Sequence, residues 1–244
     1  MWILGFDSTA STVSAAVVKD GQPVATYSAE SATSHSTTLL PAIERLLSAS
    51  GITARELDLI SCSAGPGSFT GVRIGVATAK GLAAPFNTPA IGVSSLEAMA
   101  YMYTEIPAYI FSALGARRGN VYAALFLSDG MGNILRLTDD DLLPITSAKE
   151  FIDSKVSNIE IKTLYIVGDT KNELREVCEN CISVKVAASP SLLASPSGFG
   201  AALCGFRAFD SADDKSVFTE DSLMPIYLRK SQAERERDEK KQNL

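Results

Sequence analysis

The chain has 244 residues and a formal net charge of −6; 46% of its residues are hydrophobic and 20% are charged. That is enough apolar chain to bury a core, in one large domain or two small lobes, and it excludes a disordered polymer. The acidic balance leaves the chain as a whole without an electrostatic footprint for nucleic acid, and no apolar run approaches the roughly 20 residues that span a bilayer.

The opening stretch Met1–Asp7 has no basic segment and meets an acid at once, so it is not expected to be a signal peptide. Ile3–Phe6 reads as a short apolar strand running into the polar turn Asp7-Ser8-Thr9-Ala10-Ser11-Thr12. Val13–Val18 and Val24–Ser28 follow as strands joined by a hairpin turn at Lys19–Gln22. Leu39, Leu40, Ile43, Leu46 and Leu47 recur at helical spacing, with Thr37 or Thr38 as cap and Pro41 in the first turn. Thr53-Ala54-Arg55-Glu56 fits a capping box, and Leu57–Ser63 is a buried strand. Val72–Ala84 is rich in small residues and reads as a helix built for close packing, followed by a strand at Ala90–Val93 and a helix from Ser94 through Tyr103.

The second half starts over. Tyr109–Leu114 and Val121–Leu127 flank the turn Gly115–Asn120 as a hairpin, and Ile134–Leu137 is a weaker third strand. A helix near Ser147–Ser154, a strand at Leu164–Val167, and helices near Asn172–Asn180 and Gly198–Phe209 complete the series. A three-stranded meander followed by helix, strand and helix, occurring twice, predicts an α/β protein of two related lobes. The boundaries read from it are 1–104 and 105–228, with a charged tail at 229–244.

The chemistry-bearing feature is Ser63-Ala64-Gly65-Pro66-Gly67-Ser68-Phe69-Thr70-Gly71, between a buried strand and a helix. Glycines there permit close backbone approach, and the amides at the helix start are placed to meet an anion. If the strands ending at Asp7 and Ser63 are neighbours, then Asp7, Ser8 and Thr9 face Gly65, Gly67 and Ser68, an arrangement suited to magnesium and nucleotide phosphate. The same residues also fit a plain tight turn with Asp7 in an Asx turn, and the Walker spacing is absent, because no lysine follows Gly71. Both readings are open at this point. The Cys178-x-x-Cys181 pair has no second pair to complete a zinc site, and with Cys62 and Cys204 it suggests a reduced, cytosolic protein. The single histidine, His35, precedes a helix with no nucleophile beside it, so it is assigned a structural or interfacial role.

Ile3-Leu4-Gly5-Phe6-Asp7-Ser8-Thr9, His35-Ser36 before Leu39-Leu40-Pro41, the turn Ser63–Gly71 continuing Val72-Arg73-Ile74-Gly75, and Ile91-Gly92-Val93-Ser94-Ser95-Leu96-Glu97 together resemble the TsaB (YeaZ) family. The likeness continues through Ala116-Arg117-Arg118, Val121-Tyr122 and Pro225-Ile226-Tyr227-Leu228-Arg229. The resemblance implies the actin-like/HSP70-like ATPase (ASKHA, RNase H-like) fold in two lobes. It also implies an accessory subunit of the machinery that makes threonylcarbamoyladenosine in tRNA, activating a TsaD-type catalytic subunit by heterodimerisation. In TsaD a metal-binding His-x-x-x-His follows the strand equivalent to Ala90–Val93; here those positions are Ser95 and Met99, so no metal site and no catalytic residue are expected. Relatives commonly carry acids where this chain has Gly115 and Asn120.

The expected partner surface comprises Leu39, Leu40, Ile43, Leu46 and Leu47 of the first helix and Val72, Arg73, Gly75, Val76 and Ala79 of the second. The expected partners are a TsaD-type subunit, a TsaE-type ATPase, and a second copy when the chain is alone. tRNA is expected only indirectly, despite Arg117-Arg118 and Arg229-Lys230, and no membrane is involved. No cofactor is expected except ATP or ADP at a partner interface. The competing reading is a stand-alone ATPase or small kinase of the same superfamily.

Overall fold

The apolar run at the start of the chain becomes β1 (Trp2–Asp7), which is buried on both faces because it lies in the middle of a sheet. β2 (Thr12–Lys19) and β3 (Gln22–Glu30) extend that sheet as an antiparallel meander, turning at Asp20 and Gly21, both at positive φ. β4 (Leu59–Gly65) and β5 (Ala90–Ser94) add in parallel on the other side, giving the order β3-β2-β1-β4-β5. The computed structural model describes residues 1–30, 35–156, 160–179, 184–190 and 193–228. The tail at 229–244, Arg229 and Lys230 included, lies outside the described residues, as does Cys181.

The second sheet repeats the plan. β6 (Ala108–Gly115) is central, and β7 (Asn120–Ser128) pairs with it antiparallel. β8 (Ile134–Arg136) and β9 (Asp141–Pro144) both pair with β7, while β10 (Thr163–Val167) and β11 (Lys185–Ala187) run parallel beyond β6. β9 and β11, of four and three residues, are absent from the sequence reading.

α1 (His35–Ala49) and α2 (Phe69–Ala83) cover one face of the first sheet. α1 begins earlier than the expected cap at Thr37 or Thr38, so Pro41 sits inside the helix rather than in its first turn. Pro41 is exposed and so is Thr37, whose carbonyl loses its helical donor to the proline, so the missing bond falls on the wet side of the helix. Ser68 caps α2, its Oγ accepting from the Gly71 N–H at 3.3 Å. α4 (Ala148–Asp153) and α5 (Lys171–Cys178) cover the corresponding face of the second sheet.

The two remaining helices are exchanged. α3 (Ser95–Ala100) follows the first sheet but packs on β6 and β7, whereas α6 (Gly198–Ser211) follows the second sheet but packs on β1, β2 and β4. Close approach needs glycine: a Cβ on Gly198 would lie 2.5 Å from the Ala15 Cα, and one on Gly5 would overlap the Gly198 carbonyl oxygen. Ser61 Oγ donates to the Ala201 carbonyl at 2.7 Å, and the Gly198 N–H donates to Ser14 Oγ at 3.0 Å. The division at residue 104 therefore sorts the strands but not the helices. The first sheet has two apolar faces, and α1 and α2 can cover only one; α6 covers Ile3, Ala16, Val18, Leu59, Ile91 and Val93 on the other.

Candidate functional site: the glycine turn and the face of α2

β1 and β4 are parallel neighbours with Phe6 opposite Cys62, so their carboxyl ends bring Asp7 beside Ser63. The structure thus assembles Asp7, Ser8 and Thr9 with Gly65, Gly67 and Ser68, as the sequence suggests. It assembles them as a closed contact. Asp7, Ser8 and Thr9 are buried. The Ser68 N–H donates to the Thr9 carbonyl at 2.7 Å, and Ser8 Oγ donates to the Gly71 carbonyl at 2.8 Å. A Cβ on Gly67 would lie 2.5 Å from the Thr9 carbonyl oxygen, one on Gly75 2.9 Å from Ser8 Oγ, and one on Gly71 would overlap the Ser8 carbonyl oxygen. The close approach that Gly67, Gly71 and Gly75 permit is consumed by the chain's own Ser8–Thr9 segment, and that at Gly65 by the Ile226 carbonyl, so these residues do not fit a phosphate cradle.

Asp7 forms the Asx turn anticipated for it, its Oδ1 accepting from the Thr9 N–H at 2.7 Å and from Thr9 Oγ1 at 2.8 Å. Oδ2 is buried with no hydrogen-bond partner among the described residues, and the same is true of Ser63 Oγ. Burial raises the Asp7 pKa above the ordinary carboxylate value; the Ser63 hydroxyl, the Thr9 N–H and hydroxyl, and the His35 charge act against it. The neighbouring Cys62 thiol is pushed up to about 12 by burial and by the Asp7 charge, which leaves it inert. His35 opens α1 and its Nε2 donates to the Ala10 carbonyl at 2.7 Å, which makes it a tether for the β1–β2 turn.

Ser95 and Met99, where the comparison with TsaD leads one to look for metal ligands, are committed elsewhere. Ser95 Oγ donates to the Pro66 carbonyl, and Met99 is buried between the lobes with Leu96, Tyr103, Ile110 and Phe126. The turn between β6 and β7 explains its own departures from the family. Arg117 and Arg118 both take positive φ, and Asn120 Nδ2 donates to the carbonyls of Arg117 and Arg118 at 3.3 and 3.2 Å. A glutamate has no proton to give to those carbonyls. The Gly115 N–H meets Asp169 Oδ1 at 2.8 Å, so the acid at this turn comes from the β10 end instead.

Of the helix residues singled out for a partner, Leu39, Ile43, Leu46, Leu47, Val72, Gly75, Val76 and Ala79 are buried within the lobe, and only Leu40 and Arg73 are exposed. The surface that remains is led by a residue the helical pattern did not select. Phe69 stacks on Tyr227 with ring centroids 5.1 Å apart, and the Arg73 guanidinium lies 3.8 Å from the centroid of the Phe69 ring. Tyr227 belongs to a C-terminal strap: the Ala90 N–H donates to the Phe218 carbonyl, Leu223 enters the core, and the Ile226 N–H donates to the Ala64 carbonyl at 2.7 Å. The sequence signal for the strap is Pro225-Ile226-Tyr227-Leu228-Arg229, quoted above only as part of the likeness to TsaB and given no place in the fold.

A family model described as "TsaD: tRNA N6-adenosine threonylcarbamoyltransferase" matches residues 28–141. The chain is 28% identical over 234 residues to the tRNA threonylcarbamoyladenosine biosynthesis protein TsaB of Bacillus subtilis (strain 168), covering 96% of each. It is 35% identical over 134 residues to the protein of the same name from Escherichia coli (strain K12), covering 54% of this chain and 58% of that one. Among solved structures, YeaZ from Pseudomonas aeruginosa superposes with a TM-score of 0.74 at 22% identity, over 93% of this chain and 99% of that one. The fold is the actin-like ATPase fold, shared with solved structures that are otherwise remote in sequence. The turn at Ser63–Gly71, the two-lobed plan and the likeness along nearly the whole length agree, and they make the chain similar to the TsaB (YeaZ) proteins.

Proposed function

We propose that this chain is a non-catalytic subunit of a cytoplasmic threonylcarbamoyladenosine-forming complex, and that it activates a TsaD-type catalytic subunit by pairing with it through α1 and α2. The observation that carries the reading is the state of the glycine turn. Its glycines are packed on Ser8 and Thr9, and the two positions equivalent to metal ligands are tied to Pro66 or buried, so the chain is built to hold α2 at a fixed angle rather than to hold a reactant. The names of its relatives supply the pathway, and the exposed Leu40, Phe69 and Arg73 supply a surface that the lobe itself does not use.

In this reading a TsaE-type ATPase joins the assembled pair, any ATP or ADP lies at a partner interface, and tRNA is held mainly by the partner. Alone, the chain pairs with a second copy through the same face. The test is threonylcarbamoyl transfer to tRNA by a TsaD-type enzyme with and without this chain, beside the oligomeric state of the chain alone. Stimulated transfer with a heterodimer is expected; a strictly monomeric chain that neither binds TsaD nor alters transfer overturns the proposal. Calorimetry with ATP and magnesium addresses the competing ATPase reading, for which the filled turn offers no support.

A further inference from the structure

Arg73 stands on the exposed side of α2 with one end of its guanidinium already fixed. Its Nε donates to the Tyr227 hydroxyl at 2.8 Å, and its carbon lies 3.8 Å from the Phe69 ring centroid and 5.9 Å from that of Tyr227. No carboxylate pairs with it among the described residues, whereas Arg136, the other arginine lying over a ring, holds both Glu97 and Asp140. Arg73 is exposed, and among the described residues its two terminal nitrogens have no hydrogen-bond partner, which leaves a fork of charged donors unused. Building this fork takes an aromatic from the first turn of α2 and a second from a strap residue 154 positions after Arg73. Exposed Phe69 and Tyr227 flank it with apolar area. An arginine that keeps its charge but has lost its side-chain freedom recognises a carboxylate at low entropic cost, and Tyr–Arg clusters of this kind anchor protein interfaces.

We infer that Arg73 is the charged anchor of the α2 surface, accepting an Asp or Glu side chain of the partner subunit, and that Tyr227 is a positioning residue that aims it. This rests on the proposed pairing with a TsaD-type subunit and names the chemistry by which that pairing is recognised. The partner therefore carries an acidic residue ringed by apolar side chains on the helix that meets α2.

The experiment measures binding of the full chain to a purified TsaD-type subunit by calorimetry at low and high salt. Wild type is expected to weaken as salt rises. Arg73→Gln is expected to bind about tenfold or more weakly and to lose most of the salt dependence, as for removal of a desolvated interface charge. Arg73→Lys restores the charge without the fork and is expected to recover the salt slope but only part of the affinity. Tyr227→Phe keeps the ring and removes the acceptor; about a threefold loss with an unchanged melting temperature is expected for one hydrogen bond. Arg73→Gln binding as tightly as wild type, with the same salt slope, overturns the anchor while leaving the pairing intact. Wild type that does not bind at all overturns the pairing, and the anchor with it. A variant ending at Arg229 separates the last alternative: if removing the tail, which carries carboxylates among its mixed charges, abolishes the effect of Arg73→Gln, the carboxylate is the chain's own and the proposal fails.

Discussion

A methyl group on Gly71 would overlap the carbonyl oxygen of Ser8, and no flexible side chain stands between them to give way. Gly71→Ala is therefore expected to cost about 1–3 kcal/mol through overpacking at a rigid backbone contact. That corresponds to a fall in melting temperature of about 2–4 °C per kcal/mol in a chain of this size. Thermal unfolding followed by circular dichroism checks it, and Gly81→Ala, where a Cβ meets nothing within 4 Å, is the matched control. Asp7 gives the opposite sign. Its folded-state pKa is raised by burial, so the folded protein holds the proton more tightly than the unfolded chain. The stability that this supplies is full below the ordinary value of 3.8 and is lost as pH rises through the folded pKa. At neutral pH the buried charge is a burden. Asp7→Asn keeps the oxygen that accepts from Thr9 and places an amide donor where Oδ2 lacks a partner, beside the unpartnered Ser63 Oγ. The variant is expected to melt higher than wild type at pH 7, with the gap closing as pH falls toward 4. A lower melting temperature at pH 7 contradicts this account. The Asx turn of Asp7 was legible in the sequence, but the use of Gly71 was not: a motif shows that glycines permit close approach, not which neighbour makes it.

The elements show the same limit from another side. Strand and helix positions followed from apolar periodicity and caps, and the doubled meander followed from their order. The exchange of α3 and α6 did not, because Leu96, Met99, Ala201 and Ala202 are apolar whichever sheet they cover. Only the burial of both faces of β1, β2 and β4 demands a helix that 1–104 cannot supply. A fragment of residues 1–104 is accordingly expected to lack a cooperative urea transition, although it contains every strand of its sheet. Adding residues 193–228 by a flexible linker returns α6 and the strap that carries Leu223 and Ile226 into the first core, and is expected to restore cooperativity. A sharp transition for 1–104 alone would mean that α6 is dispensable to the sheet. Most residues singled out for a partner are buried within the lobe for a related reason. Helical spacing finds the apolar stripe of α1 and α2, and a stripe of Leu39, Ile43, Leu46, Val72 and Val76 is what the lobe's own sheet requires. The outward face is read by exception, from an aromatic and an arginine where a solvated helix needs neither.

α1 and α2 both sit on the first sheet, so the angle at which the second lobe stands to their surface is set by the contact between the lobes. Besides the apolar seam around Leu96, Met99, Tyr103 and Ile110, it has a charged clamp. Arg136 of β8 donates to Glu97 of α3 and to Asp140, each at 2.6 Å, and Ser94 Oγ at the end of β5 donates to Asp140 Oδ2 at 2.7 Å. The clamp thus ties the edge of the second sheet to the last strand of the first. Its members are partly exposed, which lowers both the desolvation cost and the Coulombic gain, so the useful quantity is the asymmetry between removing one partner and removing the network. Arg136→Ala leaves two carboxylates facing each other and is expected to cost about 1–3 kcal/mol. Glu97→Gln combined with Arg136→Met, which removes a charge from each side and keeps most of the packing on Phe126, is expected to cost less than Arg136→Ala alone. Hydrogen exchange locates the effect: amides of α3 should lose protection in Arg136→Ala while those of α5, on the far face of the second sheet, keep theirs. Uniform loss across both helices would show that the clamp supports global stability only and leaves the angle between the lobes to the apolar seam.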